Sequence, residues 1–357
     1  MTDDVYRRLA VPLDAIPNGF PSTVCGVELR LLAKSIEPVD AALAYVMHLE
    51  KEPAGVIAAR TGGDPKAVRR TLKAMVRKGQ ILVGRKDRQL TFGLMPFAVG
   101  IYEEQLPRLD KEMAELFEEY FLEAQGFIGK HSPAIHRVVP VEEAIPAGIE
   151  IYPYERATEL LEGAKAWGVR DCICRVQQKL VGKGCDRPVE NCLVFAPMAG
   201  VFAGSDTTRA ITREEALQIL NEAEEAGLVH SPGNYQDGNH YICNCCTCCC
   251  GVLRSVSEFS VPSAVASSAF MAVVDDDLCA ACGDCLESCQ FGALDLPGDT
   301  CLVDVGRCVG CGLCITVCPT EALSLARRPA GEIPPPPADF RDWMSQRAEA
   351  RGLVDLP

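Results

Sequence analysis

No apolar run in this chain approaches the length needed to cross a bilayer. The nearest, from Phe259 to Val274, is interrupted by Pro262 and several serines, so direct membrane insertion is not expected and any membrane contact falls to a partner. The first residues, from Met1 through Asp3, Asp4 and Tyr6 to Arg8, lack the apolar stretch of a secretory signal, which makes a reducing cytoplasm the expected compartment. Positive charge is in short supply, with 35 Lys and Arg against 49 Asp and Glu and a net charge of −14, which argues against bulk nucleic-acid binding. There is also no convincing pair of catalytic carboxylates, no Ser-His-Asp set and no glycine fingerprint for a nucleotide.

What the sequence does have is cysteine, 20 residues in 357. In a short secreted chain these would suggest disulfides, but here the chain is long and the spacings are those of metal ligands. Cys279, Cys282, Cys285 and Cys289 form one C-x2-C-x2-C-x3-C run, and Cys308, Cys311, Cys314 and Cys318 form a second. Three thiolates at this spacing wrap one face of a 4Fe-4S cube, and the fourth is carried by a short helix to the neighbouring cube. The expected ligand sets are therefore crossed: Cys279, Cys282, Cys285 and Cys318 for one cluster, Cys308, Cys311, Cys314 and Cys289 for the other. A pair of zinc ribbons would explain neither the third regularly spaced thiol nor the duplication. Gly283, Gly310 and Gly312 supply the backbone freedom that tight wrapping needs. Pro319 follows the last cysteine of the second copy, while Gln290 occupies that place in the first. The segment resembles the bacterial two-cluster ferredoxins over residues 272–326.

The length implies two or three domains, and 48% hydrophobic residues can fill their cores. Residues 1–37 read as an irregular N-terminal arm, with a turn at 16–21 and an apolar run from Val27 to Leu32, and Cys25 reads as a buried thiol. Residues 38–98 read as a winged-helix-like domain. It comprises helices over Asp40 to Glu50 and Pro53 to Arg60, a third capped by Asp64 with Val68, Leu72, Met75 and Val76 as its apolar stripe, then strands at Ile81 to Val83 and Leu90 to Phe92. From Lys51 to Leu90 there are eleven basic residues against three acidic ones, so the rest of the chain carries −22. Such a basic helix and wing suit either a phosphate backbone or an acidic protein, and the absence of a base-reading constellation favours the protein.

Residues 99–270 read as a helical Cys-rich domain. Leu109, Met113, Leu116, Phe117 and Tyr120 mark one helix, 126–155 is loop-rich, and Glu155 to Trp167 is another helix. His131 and His136 are weak ligand candidates better suited to structural roles. Beyond lie two unusual cysteine groups, Cys172, Cys174, Cys185 and Cys192, then Cys243, Cys245, Cys246, Cys248, Cys249 and Cys250. Thr212 and Glu215 form a capping box for a helix between them that runs to Ala226 and stops at Gly227. Ten gathered thiols point to metal: one or two 4Fe-4S clusters, or a larger non-cubane cluster, with zinc or a metal-free thiol relay as alternatives. Ligands drawn from both groups are expected, because neither local spacing is the ferredoxin pattern. Arg170, Arg175, Lys179, Lys183, Arg187 and Arg254 lie near in sequence and would offset cluster charge. Taken with the segment from Pro17 to Pro21, Asp171 to Arg175 and the terminal ferredoxin, these motifs make nearly the whole chain resemble a family of anaerobe 4Fe-4S ferredoxin-like proteins. That resemblance implies redox work in anaerobic metabolism.

The expected fold class is α+β multidomain, with a dicluster ferredoxin domain at 271–327 and a Pro-rich linker and C-terminal helix at 328–357. The expected function is electron transfer between ferredoxin-type 4Fe-4S clusters and a further cluster in the Cys-rich domain, as an electron-transfer component of an oxidoreductase. The expected partner is a redox protein or larger oxidoreductase complex, with a flavoprotein as one candidate and DNA less favoured. The alternatives are a catalytic iron-sulfur oxidoreductase with an open-site cluster and a redox-sensing DNA-binding regulator.

Overall fold

The computed structural model describes residues 2–125 and 129–353, and the chain divides into two compact units, Met1–Ile128 with Met344–Pro357, and Gly129–Trp343. In the first unit the opening segment is helical where an irregular arm was expected: α1 (Thr2–Ala15) and α2 (Val27–Ser35). The reason is amphipathic spacing, since Tyr6, Leu9, Leu13 and Ile16 recur at intervals of three and four and are all buried. Three more helices follow, α3 (Pro38–Ala44), α4 (Ala54–Thr61) and α5 (Pro65–Arg77), together with the strands β1 (Glu52–Pro53), β2 (Ile81–Lys86) and β3 (Gln89–Leu94). The strands form an antiparallel sheet in the order β1-β3-β2.

Helix α5 starts where Asp64 accepts the Ala67 amide at 2.8 Å, and it buries Leu72 and Met75. The β2–β3 turn is made by Asp87 and Arg88, both at positive φ, as a two-residue hairpin requires. Helix α6 (Lys111–Glu123) buries Met113, Leu116 and Tyr120, and residues 99–125 belong with this unit, not with the Cys-rich region. Cys25, expected to be buried, is exposed in the turn before α2, its Sγ 3.6 Å from Glu119 Oε1. The C-terminal residues of this unit dock on the end of α1, where Arg347 Nε donates to the Pro17 carbonyl at 3.0 Å and Arg351 pairs with Asp14.

The second unit is built on a sheet, a correction to the helical Cys-rich domain read from sequence. Its strands β5 (Ala166–Asp171), β6 (Glu190–Ala196), β7 (Arg209–Ile211), β8 (Val229–Pro232) and β9 (Tyr241–Cys245) are antiparallel in the order β7-β5-β6-β9-β8; β4 (His136–Arg137) lies earlier in the chain. The helix expected from Glu155 to Trp167 is limited to α7 (Ala157–Glu162), and Trp167 lies in β5. Helix α8 (Ile173–Leu180) follows β5 directly. Helix α9 (Arg213–Glu225) covers the sheet, its Ala216, Ile219 and Leu220 sharing a core with Val169, Leu193 and Phe195.

After β9 come α10 (Gly251–Phe259), β10 (Val265–Ala266), which pairs with β4, and β11 (Phe270–Val274), which pairs with β14 (Leu323–Arg327). Between β11 and β14 lie α11 (Asp284–Ser288), the short pair β12 (Leu294–Asp295) and β13 (Leu302–Val303), and α12 (Leu313–Thr316). The proline run does not hang free: Gln236 Nε2 donates to the Pro336 carbonyl at 2.7 Å and the Gln236 amide to Pro337 at 2.9 Å. Helix α13 (Phe340–Ala350) then buries Trp343, whose indole donates to the Ala134 carbonyl at 2.8 Å. Among the described residues no helix is long and apolar enough to cross a membrane.

Both halves of the α9 capping box are present, with the Glu215 amide donating to Thr212 Oγ1 at 3.1 Å and the Thr212 amide to Glu215 at 2.8 Å. Thr212→Ala should lower unfolding stability by about 1 kcal/mol while Thr212→Ser largely preserves it, as read by the denaturation midpoint of the second unit's transition.

Candidate metal centres

The two ferredoxin-type runs fold around two separate cavities. The first is lined by Cys279, Cys282, Cys285 and Cys318, and the second by Cys289, Cys308, Cys311 and Cys314. Each cavity thus takes three thiols from one run and the last thiol of the other. Helices α11 and α12 perform the exchange, since each starts beside the third thiol of its run and ends facing the opposite cavity. The turn into α12 needs glycine. Gly310 has φ 68°, and a Cβ there would lie 2.1 Å from the Phe270 carbonyl oxygen.

Backbone amides of Ala281 and Cys301 hold the Cys279 thiol below its ordinary range, whereas burial pushes Cys311 up to about 12. Cys301, outside both runs and not singled out from sequence, also lines the first cavity, 3% exposed with its Sγ 3.7 Å from Cys285 Sγ. The signal for it is its place just before β13, where the hairpin turns it inward.

The remaining ten thiols separate into two sets, each using both sequence groups. Cys185, Cys246, Cys248 and Cys249 converge with their Sγ atoms all within 4.8 Å of one another. The other six are strung out in pairwise contact, Cys172 with Cys174, Cys174 with Cys250, Cys250 with Cys245, Cys245 with Cys243, and Cys243 with Cys192 at 3.9 Å. Strand alternation explains part of this separation, because Cys243 and Cys245 leave one face of β9 while Asn244 leaves the other.

Arg175 on α8 lies between the sets with no exposed surface. Its Nε donates to the Pro188 carbonyl at 3.0 Å, Nη1 to the Asn244 carbonyl at 3.1 Å and Nη2 to Asn191 Oδ1 at 3.3 Å. Burial works against its charge, but Cys172, Cys246, Cys245 and Cys174 around it outweigh that and raise its pKa. Arg187 donates to Cys248 Sγ at 3.6 Å. Of the other basic residues expected near the thiols, Arg254 is committed to Glu258 and Arg170 reaches Thr208. Behind Asn244, His230 is buried with Nδ1 2.7 Å from Asn244 Oδ1 and Nε2 2.8 Å from Glu224, a polar chain that sequence reasoning missed. His136 is buried 5.6 Å from the Tyr241 ring, and burial lowers its pKa to about 4.

Gln290, where the ferredoxin pattern has proline, connects the two regions. Its Oε1 accepts the Thr247 amide at 2.8 Å and its Nε2 donates to the Gly227 carbonyl, so the residue after Cys289 is tied between Cys246 and Cys248. A single apolar cluster also contains Cys245, Cys250, Phe291, Val309 and Leu313, with Cys243, Cys289 and Cys311 packed against it.

Cysteine donor sets gathered around these two cavities suit iron-sulfur clusters, since thiolates are their usual ligands. A family model described as a 4Fe-4S binding domain matches residues 302–324, which include Cys308, Cys311, Cys314 and Cys318. No curated protein and no solved structure matches the chain. The chain therefore carries a 4Fe-4S binding segment of ferredoxin-like character.

Replacing Gln290 with proline would restore the ferredoxin pattern yet leave the Thr247 amide and Gly227 carbonyl without their partner. Gln290→Pro and Gln290→Ala should each destabilise the second unit by about 1–3 kcal/mol, measured anaerobically by chemical denaturation.

Proposed function

We propose that the protein is an iron-sulfur electron carrier, serving as an electron-transfer component of an oxidoreductase system. Its path runs between two ferredoxin-type 4Fe-4S clusters and one further cluster among Cys172, Cys174, Cys192, Cys243, Cys245 and Cys250. A bound 4Fe-4S cluster supplies one-electron exchange with no bond made or broken. The residues of the chain hold, space and shield the path.

The observation that carries this reading is the shared apolar cluster around Cys289, Cys311, Cys245 and Cys250, reinforced by the Gln290 bridge, because it puts a dry, rigid medium between the second ferredoxin cavity and the inner thiols. The outer end is open. Cys282 is exposed, and Leu278, Leu302 and Val317, each next in sequence to a cysteine of the first cavity, are exposed apolar residues of the kind a transient redox partner covers. Arg175 offsets the negative charge that four thiolates bring to a cluster.

A second contact surface lies on α5, in the part of the chain read as a winged helix. Lys66, Arg69, Arg70, Lys73 and Arg77 recur on one exposed face and line a shallow groove, while Arg60 and Lys78 are used internally with Glu52 and Asp40. This face fits an acidic partner protein, a flavoprotein being one candidate. Nothing on it resembles a set of base-reading side chains.

Anaerobically purified protein should contain iron with matching sulfide clearly in excess of the eight of two cubes. Cys318→Ser should alter the electron-paramagnetic signal of the cluster held by Cys279, Cys282 and Cys285 and leave the other, whereas Cys289→Ser should do the reverse. Loss of the signal nearest in sequence to each substitution would refute the crossed assignment. A protein with only zinc and no sulfide would refute the carrier.

For α5, a labelled duplex should show no nanomolar binding in fluorescence anisotropy at about 0.15 M salt. A steep salt dependence abolished by Arg69→Glu, Arg70→Glu and Lys73→Glu together would instead favour a DNA-binding regulator.

A further inference from the structure

We infer that Cys185, Cys246, Cys248 and Cys249 hold a single tetrahedral metal ion and not an iron-sulfur cube. This goes beyond the electron-carrier reading and does not rest on it, because that reading uses other thiols.

The argument is one of distance. A divalent ion bonded to four thiolates at about 2.3 Å sets neighbouring sulfurs about 3.8 Å apart. Thiolates capping the four irons of a cube stand roughly 6 Å apart, since each extends outward from an iron already separated from its neighbours. Here Cys185 and Cys246 are 4.0 Å apart, Cys185 and Cys249 3.7 Å, and Cys248 and Cys249 3.9 Å, with all four sulfurs within 4.8 Å. Among the described residues no other three potential ligands gather this closely, including the thiols around the two ferredoxin cavities.

The surroundings fit such an ion. Four thiolates around a divalent ion leave two negative charges, and two cations face them: Arg187 at 3.6 Å from Cys248, and Arg175, whose charge is stabilised in part by Cys246. The four sulfurs close the coordination shell, as in a structural site. Cys246 and Cys249 are buried against Ala223 and Leu228 at the end of α9, while Cys248 is exposed. The ion would staple two segments, the loop bearing Cys185 and the turn between β9 and α10, beside the end of α9. Gln290 grips that staple through Thr247 and Gly227. Zinc and mononuclear iron share this chemistry, and metal analysis separates them.

The full-length protein, purified anaerobically, should carry one zinc, or one iron in excess of its sulfide, per chain. X-ray absorption at the zinc edge should show four sulfurs at about 2.3 Å and no iron neighbour. Cys246→Ser with Cys249→Ser should remove that one ion and leave acid-labile sulfide unchanged. Should the double variant not fold, Cys248→Ser removes only the exposed ligand, and transfer of one ion to a chromophoric chelator should accelerate at least tenfold. Cobalt supplied during growth should give the intense visible bands of a tetrahedral thiolate site, lost in the same variants. Loss of about four irons with their sulfide on either substitution would overturn the inference, as would native protein in which these four thiols react freely with no ion released.

Discussion

A guanidinium with no access to water is the constraint around which the Cys-rich region is arranged. Leaving the Arg175 charge buried and unmatched would cost several kcal/mol, and leaving crowded thiolates without a cation would cost a comparable amount. Each meets the other's need. Carbonyls of Pro188 and Asn244 and the Asn191 side chain fix where the guanidinium points, and His230 and Glu224 brace Asn244 from behind. Thiols from both sequence groups therefore face one fixed positive charge before any metal arrives, which lowers the ordering cost of assembling sites from distant segments. On the proposed reading, metal binding is then part of the folding free energy of this unit.

The same economy joins the ferredoxin-like motif to the sheet. An isolated pair of cubane cradles offers little apolar surface of its own, and here its inner side is continuous with a larger core through Phe270, Phe291, Val309, Leu313 and Leu325. Backbone contacts set the register, with the Val141 amide donating to the Cys311 carbonyl at 2.9 Å and Ser268 to Val309 at 3.0 Å. Gly310 and Gly312 permit that approach, since side chains there would collide with Phe270 and Ala144.

Features determined within a turn or two of chain were legible in the sequence. The thiol spacings, the Asp64 cap and the Thr212 capping box depend on neighbours three or four residues away, and the crossed lining of the two cavities follows from the short helix after each third cysteine. Features set by distant pairing were not legible. The strand at Trp167 reads as a continuation of α7 because its partners, β6 and β7, lie tens of residues away. The helix at the start of the chain was obscured by Pro12, although Tyr6, Leu9, Leu13 and Ile16 carry its period. The sorting of ten thiols into sets of four and six depends on how β9 meets α8 and the Cys185 loop, and no local spacing encodes it.

On the proposed reading, the surroundings of the thiols along the path bear on how readily each site takes an electron. The first cavity has backbone amides directed at Cys279 and an exposed Cys282, both of which favour the more negative, reduced state. The second is walled by apolar residues with Cys311 and Cys314 strongly desolvated, which disfavours that state. The inner six thiols face Arg175, and a buried cation favours reduction again.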